Sequence, residues 1–187
     1  MNLQDFIQFI ESQKLFLPQE QVMLAVSGGI DSAVMADLFN QAKFRFAIAH
    51  CNFGLRGRES DKDADFVKHL AGELKVPFFH EKFKTTDFAA NKGISVQMAA
   101  RELRYDWFEK VRSEKGFDFI ATAHHLDDQV ETFLINLIRG TGIAGLHGIQ
   151  VKNGNVIRPL LFAFRKDIVQ YAGEHHIRYR EDNSNKE

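Results

Sequence analysis

This sequence predicts an α/β fold with a mostly parallel sheet and helices on both faces. Three observations point to it. Short β-like runs alternate with segments of helical apolar spacing along most of the chain, the pattern of strand–helix–strand units. The run QVMLAV (Gln21–Val26) reads as a buried strand. Three polar or glycine-bearing segments, Ser27–Ser32, His50–Arg58 and Ala123–Asp128, fall at the carboxyl ends of expected strands, the rim where such folds collect ligands.

The elements follow in order. Leu3, Phe6, Ile7 and Ile10 recur at helical spacing, so the chain opens with a helix. After the strand at Gln21–Val26 and a Ser-Gly-Gly turn, Ala33, Val34, Leu38 and Phe39 mark a second helix. Phe44–His50 is the next strand, and Phe66, Val67, Leu70 and Leu74 share one face of the helix after it. Pro77–Phe83 is a third strand, residues 84–95 read as a loop, and a long helix runs from Val96 to Glu114. Phe117–Ala123 is a fourth strand and Leu126–Ile138 a helix; the glycine-rich Arg139–Gly148 follows as a helix cap and turn or a pocket wall. Asn153-Gly154 between β-like runs predicts a hairpin, and a helix over Lys166–His175 ends the regular structure.

Composition narrows the class. The 187 residues are 44% hydrophobic and 26% charged, which suits one globular domain with a buried core rather than disorder. Most of the 18 phenylalanines are expected to fill that core. A formal net charge of −1 gives no global attraction for nucleic acid, so any RNA-binding surface is local or outside this chain. Cys51 is the only cysteine, which excludes an internal disulfide framework or a thiolate zinc cluster and fits a reducing, cytoplasmic setting; packing is its expected role. No apolar stretch approaches the roughly 20 residues of a membrane helix.

The segment Ser27-Gly28-Gly29-Ile30-Asp31-Ser32 carries the clearest chemistry. Adjacent glycines let the backbone turn sharply and approach a ligand. Their N–H groups lie beside the positive end of the following helix, and Ser27 and Ser32 add hydroxyls. This is a phosphate cradle without the lysine of a Walker motif, so magnesium and distant basic residues have to balance the charge. Asp31 is a candidate magnesium ligand. The plainer alternative is a tight strand-to-helix turn with Ser32 near a helix cap.

VSGGIDS resembles the PP-loop of the ATP pyrophosphatases. That resemblance implies a Rossmann-like, adenine nucleotide alpha hydrolase-like fold and cleavage of ATP between its α- and β-phosphates. Within that superfamily, His50–Val67, the RxxRY-bearing Ala99–Phe108, Thr122–Ile149, IRPLL and the terminal EDNSN are similar to the tRNA(Ile)-lysidine synthetases. The resemblance runs from about Met23 to Asn185. It implies one PP-loop catalytic domain over 1–187, with a core near 15–150 and a hairpin–helix extension over 151–187, lacking the C-terminal tRNA-recognition domains of relatives. The implied reaction ligates lysine to C2 of the wobble cytidine (position 34) of tRNA(Ile) with a CAU anticodon, through an adenylated intermediate, releasing AMP and pyrophosphate. ATP with Mg2+, lysine and the tRNA are the implied partners, a homodimer stays open, and no membrane is involved.

His124, Asp128 and Glu131 stand at i, i+4 and i+7, which predicts one helix face. An ammonium substrate needs carboxylates, and its attacking amine must lose a proton. By resemblance Asp128 and Glu131 are assigned to lysine or metal, and His124 to the nucleotide or the transferring phosphate. A solvated helix face is the alternative. Arg104, matching the family's RY arginine, is assigned to charge developing on phosphate. Catalytic candidates are therefore Asp31, Arg104, His124, Asp128 and Glu131. ATP-binding candidates are Ser27, Gly28, Gly29, Ile30, Asp31, Ser32, His50 and Asn52, and tRNA-binding candidates are Arg56, Arg58, Arg101, Arg139, Arg158 and Arg165. Phe53 departs from the family pattern, in which many relatives have histidine. A tRNA thiolation enzyme and an inactive nucleotide-binding fragment are the rival readings.

Overall fold

A computed structural model describes residues 1–140 and 148–181. Most of the glycine-rich loop expected at Arg139–Gly148, and all of the terminal EDNSN segment but Glu181, therefore lie outside the described residues. The sheet grows outward from β1 (Gln21–Ala25). On one side stand β2 (Arg45–Asn52) and β3 (Phe78–Lys82), and on the other β4 (Phe119–Ala121) and a hairpin of β5 (Lys152–Asn153) and β6 (Val156–Ile157). The order is β3-β2-β1-β4-β6-β5. Only β5 pairs antiparallel; Val22 of β1 registers with Phe46 on one flank and Phe119 on the other. Growth reverses between β1 and β4, and that switch point opens a crevice at the strand carboxyl ends.

Strand alternation divides the core. Val22, Leu24, Phe46 and Ile48 face the layer of α2 (Ile30–Gln41), α3 (Arg58–Leu74) and α7 (Arg165–Glu174), where α1 (Leu3–Ser12) also contributes Phe6 and Ile10. Met23, Ala47, Ala49 and Ile120 face Phe108 and Val111 of α5 (Val96–Lys115). Most of the phenylalanines fill or line the core, although Phe133 and Phe164 are exposed: Phe16, Phe39 and Phe44 meet with centroids 5.0–5.7 Å apart, and each ring taken from water contributes about 1.5–3 kcal/mol. Residues 151–181 share this architecture, since Ile157, Leu160, Ile168 and Tyr171 are buried in the same core.

Two local expectations need correction. Residues 84–95 are not a loop throughout: α4 (Thr85–Lys92) occupies most of them. Its polar sequence hides the helical period, but Thr85 and Ala89 are buried and Gly93 closes it at φ +66. In the hairpin, Asn153 pairs with Val156, so Gly154 and Asn155 make the turn rather than Asn153 and Gly154; Gly154 supplies the positive φ of +56.

Candidate active site

The phosphate loop leaves β1 at Val26 and enters α2 at Ile30. Gly28 has φ +99, and a Cβ there would meet Val67 and Phe66 at 3.4 and 3.5 Å, so this turn requires glycine. The loop's donors converge inward. Ser27 N and Gly28 N point to Ser32 Oγ at 3.2 and 3.3 Å, and Gly29 N donates to Ser27 Oγ at 3.2 Å. Gly29 is the N-cap of α2 and makes no side-chain cap bond, which leaves first-turn N–H groups and the positive helix end for an anion.

A cavity of about 240 Å³ opens beside the loop on the α5 face of the sheet. Ala25, Ser27 and Asp31 form one wall, Cys51 and Phe53 the second, Thr122 and His124 the third, with Arg104 and Tyr105 above. Sheet alternation decides which β2 residues reach it. Cys51 and Phe53 point into it, whereas His50 and Asn52, expected at the nucleotide, point to the other face of the sheet. His50 is buried, and its Nδ1 lies 2.8 Å from the Val26 carbonyl. That nitrogen must carry the proton, because a carbonyl only accepts. Asn52 Nδ2 donates to Asp61 and its Oδ1 accepts from Gly54 N. His50 thus supports the base of the phosphate loop, and Asn52 ties the turn after β2 to α3.

His124 lies before α6 (Leu126–Ile138), whose N-cap is His125, so the expected three-residue helix face does not form. His124 reaches the cavity from the loop instead, with Nδ1 2.9 Å from Thr122 Oγ1. Burial, then the positive charge of Arg158, holds its pKa below the usual imidazole value, keeping it neutral and able to accept a proton. Asp128 Oδ2 accepts the His125 N–H at 2.8 Å, as an N3 carboxylate in a capping box does. Glu131 is exposed further along α6.

An acidic cluster joins the loop to α6. Asp31 Oδ2 receives Arg165 Nη1 at 3.3 Å, while its buried Oδ1 has no hydrogen-bond partner among the described residues. His125 Nε2 stands 4.0 Å from that oxygen, and its Nδ1 lies 3.5 Å from Asp128 and 3.6 Å from Asp127. Burial raises the Asp31 pKa, against the opposing charges of Arg165 and His125. Sequence reasoning missed His125 and Asp127; the position of a residue directly before a helix, with carboxylates two and three places on, was the available signal.

The other basic candidates sit as follows. Arg56 donates to Asp63 at 2.6 Å near Gly28, and Arg180, which was not anticipated, donates to the same carboxylate and through its N–H to the Gly28 carbonyl at 2.9 Å. Arg58 starts α3 and Arg139 caps the end of α6. Arg101 lies over the Tyr105 ring. Arg158 is half-buried and donates to the Gln150 carbonyl. Among the described residues no three His, Cys, Asp or Glu side chains are arranged so that they could together hold a metal ion.

A PP-loop domain family model matches residues 2–187. The chain is 49% identical to a tRNA(Ile)-lysidine synthase of Bacteroides thetaiotaomicron over 90% of this chain and 39% of that protein. It is 42% identical to one of Chlorobaculum tepidum over 96% of this chain and 56% of that protein. It thus spans about two fifths to just over half the length of these relatives. Among solved structures it is similar to the U34-tRNA thiolase NcsA of Methanococcus maripaludis, at TM-score 0.77 and 20% identity, covering 99% of this chain and 68% of that one. It is also similar to an NH3-dependent NAD synthetase of Campylobacter jejuni, at TM-score 0.62 and 17% identity, covering 94% and 74%. These two likenesses support the fold.

Proposed function

We propose a function from one premise: the chain belongs to the PP-loop domain family. It is the ATP-using catalytic domain of a tRNA(Ile)-lysidine synthase, ligating lysine to C2 of the wobble cytidine through an adenylated tRNA. The observation that carries this reading is that Asp31 belongs to both the phosphate loop and the acidic cluster at the start of α6. A triphosphate held by loop amides therefore lies beside carboxylates suited to a cationic amino acid.

In this reading the cytidine O2 attacks the α-phosphate and pyrophosphate leaves along the loop. Arg104 stabilises the charge developing on phosphate. The lysine ammonium is received by Asp128 and Glu131, and its amine gives up a proton to neutral His124 or to a carboxylate before attacking C2, which expels AMP. Asp31 fits Mg2+, which takes one or two protein carboxylates along with substrate phosphates; bound with ATP, that ion neutralises phosphate charge. Arg56, Arg58, Arg101, Arg139 and Arg165 serve the RNA where they are exposed at this rim, and relatives' additional length supplies further recognition. Sulfur transfer by paired cysteines is disfavoured, because Cys51 is the only cysteine of this sequence.

Nucleoside mass spectrometry of a tRNA(Ile) transcript incubated with the whole protein, ATP and lysine tests the proposal. Lysidine is expected at the wobble position. Cytidine left unmodified, or a thiolated base, rejects it.

A further inference from the structure

Arg104 is held by an aromatic face rather than by a carboxylate. It lines the cavity, yet among the described residues it makes no ion pair; its recorded partner is the face of Phe53, 5.2 Å from the guanidinium carbon to the ring centroid. Phe53 in turn is fixed from several sides. Buried Thr85 donates to its carbonyl at 2.8 Å. Phe83 N donates to the neighbouring Asn52 carbonyl, and the two phenyl rings stack at 5.7 Å and 20°. Trp107, three residues after Arg104 on α5, meets the edge of Phe83 at 6.3 Å.

We propose that Phe53 is a positioning residue for Arg104, taking the place of the carboxylate that often orders an arginine side chain. A carboxylate occupies the guanidinium's N–H edge, the same edge a phosphate needs. A ring attracts the cation through its π face and leaves the N–H fork available. Phe53 thus orders the side chain without competing for its donors. This rests on the reading of Arg104 above.

The test uses the whole protein with tRNA, ATP and lysine. Phe53 is replaced by phenylalanines carrying one, two and three ring fluorines, which drain the π face with little change of shape, and by Trp and Leu. Across the fluorinated series kcat is expected to fall stepwise, by about tenfold in all, with KM for ATP changed less than about twofold; Phe53→Trp retains activity and Phe53→Leu does not. In an Arg104→Ala background the same series is expected to be flat. A series independent of fluorination, in a protein that Arg104→Ala impairs by about a hundredfold or more, overturns the positioning role alone. Unimpaired Arg104→Ala overturns the reading of Arg104 itself and the positioning role with it.

Discussion

Two helices bring chemistry to the same rim, and they are held differently. α2 carries the phosphate loop and buries eight of its twelve residues, among them Val34, Met35, Leu38 and Phe39. α6 carries the acidic cluster and buries none of its thirteen, with Leu134 at 48% and Ile138 at 84% exposure. Packing therefore fixes α2 along its whole length. α6 is fixed at its first turn, where Asp128 caps His125, Leu126 N donates to the Ala163 carbonyl and Asp127 accepts the Arg165 N–H. Phosphate chemistry gains from preorganised amides; the acidic cluster is held by these first-turn hydrogen bonds, and the rest of α6 is only lightly anchored.

The largest effect should come from the buried helix. Leu38→Ala is expected to cost about 2–5 kcal/mol, and Leu134→Ala on α6 within about 0.5 kcal/mol of zero; urea denaturation compares them. Equal losses would erase the distinction. Gly28→Ala comes next, because φ +99 and the contact with Val67 combine. It should cost about 1–3 kcal/mol and weaken ATP binding measured by calorimetry, whereas the same change at exposed Gly140 should leave ATP affinity unaltered.

Asp128→Ala removes the cap that anchors α6 and should cost about 1 kcal/mol. Amide exchange should then quicken along α6 while α2 stays protected; acceleration in both would mean that the two helices unfold as one unit.

The smallest effect concerns pH. Burial holds the His50 pKa below the ordinary 6.5. The unfolded imidazole binds a proton that the folded one resists, so this contribution is intact above pH 6.5 and is lost as pH falls toward the lower folded value. His50→Asn keeps a donor for Val26 and should flatten the fall in melting temperature between about pH 7 and pH 5. An unchanged slope would show that His50 does not titrate with unfolding.

Much of this arrangement was legible in the sequence. Buried strands such as Val22–Leu24 and the Ser-Gly-Gly turn are local patterns, and the rim follows from strand–helix alternation. What failed depends on direction and tertiary partners. His50 and Asn52 are at the expected strand end, but which residues face the cavity was not legible, because that depends on the sheet alternation that sends Cys51 and Phe53 there. His124 satisfied a helical spacing without lying on the helix, because the chain turns at His125. α4 was invisible because its polar residues acquire a helical face only against α5, with Thr85 tied to Phe53. Arg180 reaches Gly28 from 152 positions away, a pairing that no local pattern encodes.

The bond broken in ATP tests the central claim most directly. Phosphorus-31 NMR of the reaction containing the whole protein, tRNA, lysine and ATP is expected to show AMP and pyrophosphate appearing together, and neither with Gly28→Ala. Accumulation of ADP and inorganic phosphate would contradict a loop that grips the leaving pyrophosphate.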